Sequence, residues 1–223
     1  MLIFDIETGP LPEDRLKELY QEPTFEQFAA DCDQRWKPET KQAKFEEHVA
    51  GAWAKFVERA ALSPITGQVL AIGLMNSENG KKAILDCGED EAAGLQSFWK
   101  KYLASRTAGR SLVGFNIAGF DVPFLVRRSW FLGVAVPASI FDATGRYLDH
   151  LFVDLLARWR CGNFQESIKL ADLARAMGCG DKPEGVTGAD FHRLWKTDRD
   201  RAIDYLTNDL EMTAKCAAKM GVA

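Results

Sequence analysis

MLIFDIETGP, residues 1–10, opens the chain as a short buried strand over residues 1–7, stopped by Gly9-Pro10. Side chains two apart on a strand share a face, so Asp5 and Glu7 point the same way while Ile6 turns into the core. Two carboxylates held side by side repel, and keeping both ionised is costly unless a cation sits between them. The pair alone leaves open a plainer reading, a charged strand end.

Outward from this strand, residues 11–62 lack strand patterning and place Leu16, Leu19, Tyr20, Trp36, Phe45, Val49, Trp53, Phe56 and Val57 at roughly helical spacing. Two or three helices are expected, the last from about Glu39 to Leu62. GQVLAIGLM (67–75) and KKAILDC (81–87) then read as two strands around an Asn79-Gly80 turn, a hairpin signal. Residues 89–104 form an amphipathic helix with Leu95, Phe98, Trp99 and Leu103 inward. SLVGF (111–115) is a further strand and 121–132 a further helix. The second half is mostly helical: from about Asp154, over SIKLADLARAMG (167–178), and over 198–220. The stretch 133–150 is the least readable, with room for an edge strand. Strands alternating with helices imply an α/β sheet with helices on its faces, and the hairpin makes it a mixed sheet. The block 11–62 separates the first strand from its natural partner, so it reads as a helical insertion in a single domain spanning 1–223.

Two more segments carry candidate chemistry. In GFNIAGFD (114–121) a strand ends at Phe115, a loop follows, and Asp121 opens a helix with Pro123 in its first turn. Asp121 fits a helix cap as well as a metal ligand. In YLTND (205–209) Tyr205 and Asp209 lie four apart on the final helix, one above the other on one face. An exposed acid in an acidic stretch is the alternative for Asp209.

Together FDIET (4–8), VGFNIAGFD (113–121) and YLTND (205–209) resemble the DEDD superfamily of 3′–5′ exonucleases, which includes the proofreading domains of DNA polymerases. The tyrosine four residues before the last Asp places the likeness in the DEDDy branch; the sister branch has a histidine five before it, where this chain has Asp204. GEDEAAGLQSFWKKY (88–102), VDLL (153–156) and SIKLADLARAMG add secondary likeness, nearest to stand-alone bacterial and phage proteins with family-B-polymerase-like exonuclease domains. The resemblance covers nearly the whole chain apart from 11–62 and 133–150. It implies a ribonuclease-H-like mixed sheet flanked by helices. It also implies that Asp5, Glu7, Asp121 and Asp209 hold two divalent ions, Mg²⁺ or Mn²⁺. Asp5 would bridge both, Glu7 and Asp209 would complete one, and Asp121 would hold the other. Tyr205 would orient the attacking water. Thr8 and Gly9 would lie near the terminal nucleotide's sugar, with Asn116 and Phe120 lining the same cleft. Phe120 offers a base-stacking ring, or packs in the core.

Such a site suits phosphodiester hydrolysis. Two hard cations about 3.5–4 Å apart polarise the phosphoryl oxygen, acidify a bound water and stabilise the leaving 3′ oxygen. Oxygen ligands favour Mg²⁺ or Mn²⁺. His48, His150 and His192 are isolated in sequence, with no His/Cys cluster for zinc. A tyrosine with an ordinary pKa near ~10 is a poor base at neutral pH, hence the orienting role for Tyr205. Arg127-Arg128 either approach phosphates or complement the dipole of their helix, the second being preferred. Asp154 reads as the cap of its helix rather than as a support for the ligands.

The bulk composition is that of a globular domain, 47% apolar and 27% charged, with no apolar run long enough for a membrane span and no secretory leader pattern. Five scattered cysteines without a CxxC pair argue against a disulfide framework and for a cytoplasmic location, each read as a small buried thiol. The net charge of −4 is unusual for a nucleic-acid enzyme, but setting aside the four site carboxylates leaves 28 acidic against 28 basic residues. The expected partner is a nucleic-acid 3′ end, single-stranded, with no membrane. Rival readings are a non-cleaving nucleic-acid-binding member of this fold, an enzyme acting on short oligonucleotides, and a ribonuclease-H-type endonuclease. For the 11–62 block, an internal helical core competes with a lid that limits substrate to single strands.

Overall fold

Five strands, β1 (Leu2–Pro10), β2 (Gly67–Asn76), β3 (Lys82–Asp86), β4 (Leu112–Gly114) and β5 (Phe152–Asp154), pair in the order β3-β2-β1-β4-β5. They come from a computed structural model that describes residues 1–33, 35–141, 151–182, 188 and 191–222. β2 and β3 are antiparallel across the Asn79-Gly80 turn, where Gly80 has φ of 67°. β1 runs parallel to β4 (Leu2 opposite Leu112, Ile3 opposite Val113), and β4 parallel to β5 (Gly114 opposite Asp154). The sheet is therefore mixed. Its parallel pairs need crossovers, and α4 (Glu91–Thr107) and α5 (Asp121–Phe131) precede and follow β4.

The alternation of β1 sorts the two faces. Phe4 and Ile6 pack with Phe98, Trp99, Tyr102, Val122 and Leu125 from α4 and α5. Ile3 faces the other way, toward Leu173 on α7 (Leu170–Ala176) and Leu210 and Cys216 on α9 (Arg199–Lys219). On that second side lie also α6 (Leu155–Arg160) and α8 (Phe191–Thr197), the latter packing Phe191 and Trp195 with Leu206 of α9. β2 admits α9 closely because residue 73 is glycine: a Cβ there would lie 2.9 Å from the Leu206 side chain. An ion pair is buried under α5, with Arg128 Nη2 2.6 Å from Glu91 and Glu91 also accepting the Val69 N–H at 2.8 Å.

The chain divides into two compact units, Met1–Thr8 with Val69–Ala223, and Gly9–Gln68. The second contains α1 (Glu13–Leu19), α2 (Phe25–Asp31) and α3 (Pro38–Ala60). Aromatic rings join its helices: Phe25 and Phe28 meet Phe45, and Tyr20 meets Trp53 and Phe56. No described helix is long and apolar enough to cross a membrane.

Several expectations need correction. Leu103 is 45% exposed, and Tyr102 holds the inward position, its hydroxyl bonded to Ser139. Trp36 is exposed rather than part of a helical core. Arg128 does lie in the last turn of α5, as the dipole reading expects, but it is buried and bound by Glu91 rather than exposed. Only Cys87, Cys179 and Cys216 are buried; Cys161 is exposed and Cys32 partly so. The edge strand β5 falls at Phe152–Asp154, after the unreadable stretch, where 138–141 form a 3-10 turn and 142–150, with His150, lie outside the described residues. α8 had no counterpart in the sequence reading.

Candidate active site

β1 brings Asp5 and Glu7 to the face shared with α9, and α9 turns Asp209 toward them. Carboxylate oxygens from these three residues lie within 4.8 Å of one another. Glu7 and Asp209 are buried, and Asp5 keeps partial exposure. Asp121 arrives from the start of α5 and is also buried; its Oδ1 accepts the Ile6 N–H at 3.1 Å, the residue between the acidic pair. It does not cap α5, whose cap position is Phe120. All four acids thus converge on one segment of β1.

The loop that delivers Asp121 is held by Asp154. Its Oδ1 accepts the N–H groups of Asn116 (2.9 Å) and Leu156 (2.9 Å), and its Oδ2 that of Ala118 (3.0 Å). Asp154 therefore caps α6 and also fixes the loop between β4 and α5. Asn116 occupies a left-handed conformation, φ 60°, and its amide packs so tightly on Gly119 that a Cβ there would lie 2.5 Å from Oδ1.

Lys182 is the site residue that sequence reasoning missed. Its ammonium donates to Asp209 Oδ2 at 2.7 Å and to the Tyr205 hydroxyl at 2.5 Å, and lies 4.4 Å from the Tyr205 ring centre. It sits in a glycine-rich stretch, GCGDKPEG, with no periodicity to mark it and with other cations, Arg193 and Lys196, between it and the Tyr205–Asp209 helix. The Asn208 side chain, donating to the Asp181 carbonyl at 3.2 Å, ties this segment to α9.

The electrostatics follow from burial of like charges. Desolvation raises the Asp5 carboxyl well above its ordinary value, and Asp121, Glu7 and Asp209 push it further. Glu7 rises for the same reason, with Asp209 next in weight. Burial takes Asp121 to about 7, against the opposing bonds from the Ile6 N–H and its own N–H. Asp209 rises by burial, moderated by Lys182. Burial works against the Lys182 ammonium, but Asp209 outweighs it and holds the group above the usual lysine value. Tyr205 is pushed up to about 12, by burial first and then by Asp209.

Among the described residues, Asp209 Oδ1 is buried without a hydrogen-bond partner. An orphaned carboxylate oxygen beside two further carboxylates is the arrangement a hard cation relieves, and every donor in the cluster is oxygen. Four carboxylates face the single ammonium of Lys182. The residues fit divalent cations.

A cavity of about 620 Å³ opens on this cluster, lined by Asp5, Asp121, Tyr205, Asp209 and Lys182. Asn116 and Phe120 line it as well, whereas Thr8 and Gly9 are not among its lining residues. Phe120 also packs on Phe124, with ring centres 5.4 Å apart. The exposed Lys169, rather than Arg127-Arg128, brings a further cation to the cavity wall.

Comparison with known proteins bears on the same elements. A model of the RNase_H superfamily matches residues 57–215, a span that contains Asp121, Tyr205 and Asp209 and starts after Asp5 and Glu7. The family B DNA polymerase from the hyperthermophilic archaeon Pyrobaculum calidifontis is similar in structure, with a TM-score of 0.60 and 19% identity. That likeness covers 98% of this chain and 24% of the polymerase, so the chain spans about a quarter of that protein's length. No curated protein sequence matches it.

Proposed function

The chain belongs to the RNase H superfamily, and on that footing we propose that it is a metal-dependent 3′–5′ exonuclease of the DEDDy type. It releases nucleoside monophosphates from the 3′ end of DNA or RNA. One observation carries the reading: acids from β1, α5 and α9, distant in sequence, meet at one cavity where a buried Asp209 oxygen has no partner among the described residues. The sequence likeness to proofreading exonucleases and the fold shared with a DNA polymerase support the choice of substrate.

In this proposal Asp5, Glu7 and Asp209 would hold one Mg²⁺ or Mn²⁺, and Asp5 with Asp121 would hold the second. When bound, such ions polarise the phosphoryl oxygen and acidify a water. The chain's own residues do the positioning. Lys182 fixes Asp209 through Oδ2, while Oδ1 is buried with no hydrogen-bond partner among the described residues. Tyr205, kept a phenol by a pKa of about 12, accepts from Lys182 and directs its own O–H, so it orients the nucleophile without removing a proton. Asn116 and Phe120 contact the terminal nucleotide, and Lys169 lies on the path of its phosphates.

A time course with 3′- and 5′-labelled single- and double-stranded DNA and RNA, with and without Mg²⁺ or Mn²⁺, tests this directly. Stepwise loss of the 3′ label with monophosphate release, abolished by EDTA, is expected. Internal cuts, loss from the 5′ end, or no cleavage of any substrate would contradict it.

A further inference from the structure

The Gly9–Gln68 unit has a cavity of its own, about 540 Å³, on α3 and the turn that follows it. Part of its lining is aromatic. Tyr20 and Phe56 line it with ring centres 5.2 Å apart, and Trp53 braces Tyr20 from 5.1 Å. Part is cationic: Lys55 and Arg59 lie one helical turn apart, and among the described residues neither has an ion-pair partner.

Like charges at that spacing repel unless an anion lies between them. Arg59 lies in the last turn of α3, but the carbonyls there do not need either cation. The Ala60 carbonyl accepts the Thr66 hydroxyl at 2.9 Å and the Arg59 carbonyl accepts the Leu62 N–H at 3.0 Å. Nor is the unit basic as a whole, with 8 Lys and Arg against 11 Asp and Glu over residues 9–68. Attraction for an anion is therefore local to this pair.

A planar ring joined to an anion matches these two parts of the lining. We propose that the helical unit binds a nucleotide, with its base against Tyr20 and Phe56 and its phosphate at Lys55 and Arg59. This rests on the function proposed above, which makes a polynucleotide the substrate and a nucleoside monophosphate the product; both carry the required chemistry. The insertion then has a task of its own, holding nucleic acid at a place other than the acidic cluster.

The test uses the full chain in EDTA, so that nothing is cleaved and the result stands whether or not the protein is a hydrolase. Fluorescence anisotropy is read with labelled single strands of DNA and RNA in one arm and a fluorescent nucleoside monophosphate in the other. The variants are Lys55→Glu with Arg59→Glu, and Lys55→Gln with Arg59→Gln should the first pair fail to fold. Binding in one arm or both is expected to weaken about tenfold or more, and the arm that changes identifies the source of the nucleotide. For the strand, the salt dependence should also become shallower by about 1.4, the share of two phosphate contacts on a single strand. If the strand arm is the one that changes, the same variants should also raise KM in Mg²⁺ with kcat unchanged. Folded variants that bind strand and monophosphate as the wild type does, with the same salt slope, would overturn the proposal.

Discussion

Asp209 shows at the scale of one residue how the site is poised. One oxygen is held by Lys182 and the other is buried without a partner among the described residues. Lys182→Met removes the group that orients this carboxylate, and loss of such a support costs roughly 10–100-fold in activity or metal affinity. That fall in kcat, measured with the fold intact, is expected here. Tyr205→Phe should lower kcat while leaving metal affinity within error, because the phenol is assigned to the nucleophile; an unchanged rate would make it a bystander. Two local periodicities, two on a strand and four on a helix, set the shared faces of Asp5 with Glu7 and of Tyr205 with Asp209, whereas Asp121, at a loop-to-helix junction, was singled out only by the motif likeness. Lys182 was not legible, since a loop residue has no period and its partners lie 23 and 27 positions away.

α9 carries Tyr205 and Asp209, so its seating on the sheet governs the site. Gly73→Ala would set a Cβ 2.9 Å from Leu206 and 3.0 Å from Leu210, both fully buried. Overpacking of this kind costs about 1–3 kcal/mol. A lower urea midpoint at unchanged slope is expected, with a larger proportional loss of activity; an unchanged midpoint would show that α9 shifts freely. Elements with a strong pattern were readable: the β2–β3 hairpin from Asn79-Gly80, α4 and α5 from their apolar spacing, α3 from its long aromatic run. β5 has only three residues and α8 seven, too short for a period to show. Asp154 was read as a cap; its hold on Asn116 and Ala118 depends on β4 and β5 being neighbours, which no local pattern encodes.

For the whole molecule, burying Glu7, Asp121 and Asp209 beside a half-buried Asp5 links folding to pH and to cations. Asp121 has a pKa of about 7 in the folded chain and about 3.9 when unfolded. Between those values the folded, metal-free chain keeps a proton that the unfolded chain releases. This contribution to stability is therefore complete below the unfolded value and is lost as pH rises through about 7. In EDTA the Tm should fall from mildly acidic to alkaline pH, and Mn²⁺ should raise it most at the alkaline end, where the carboxylates are free to bind. A Tm in EDTA that climbs with pH through neutrality would contradict this. The mixed sheet and the helical insertion followed from the order of strands and breaks in the sequence. The division at Thr8 and Val69 was not legible, because β1 and β2 each run across it without a change in pattern.

The most direct measurement is a calorimetric titration of the metal-free protein with Mn²⁺ at pH above neutrality, for wild type and Asp209→Asn, without substrate. Saturable binding by the wild type, with release of protons and loss of at least one site in a folded Asp209→Asn variant, is the predicted result. Equal binding by the two proteins, or none by the wild type, would contradict the claim that these distant acids form one cation site.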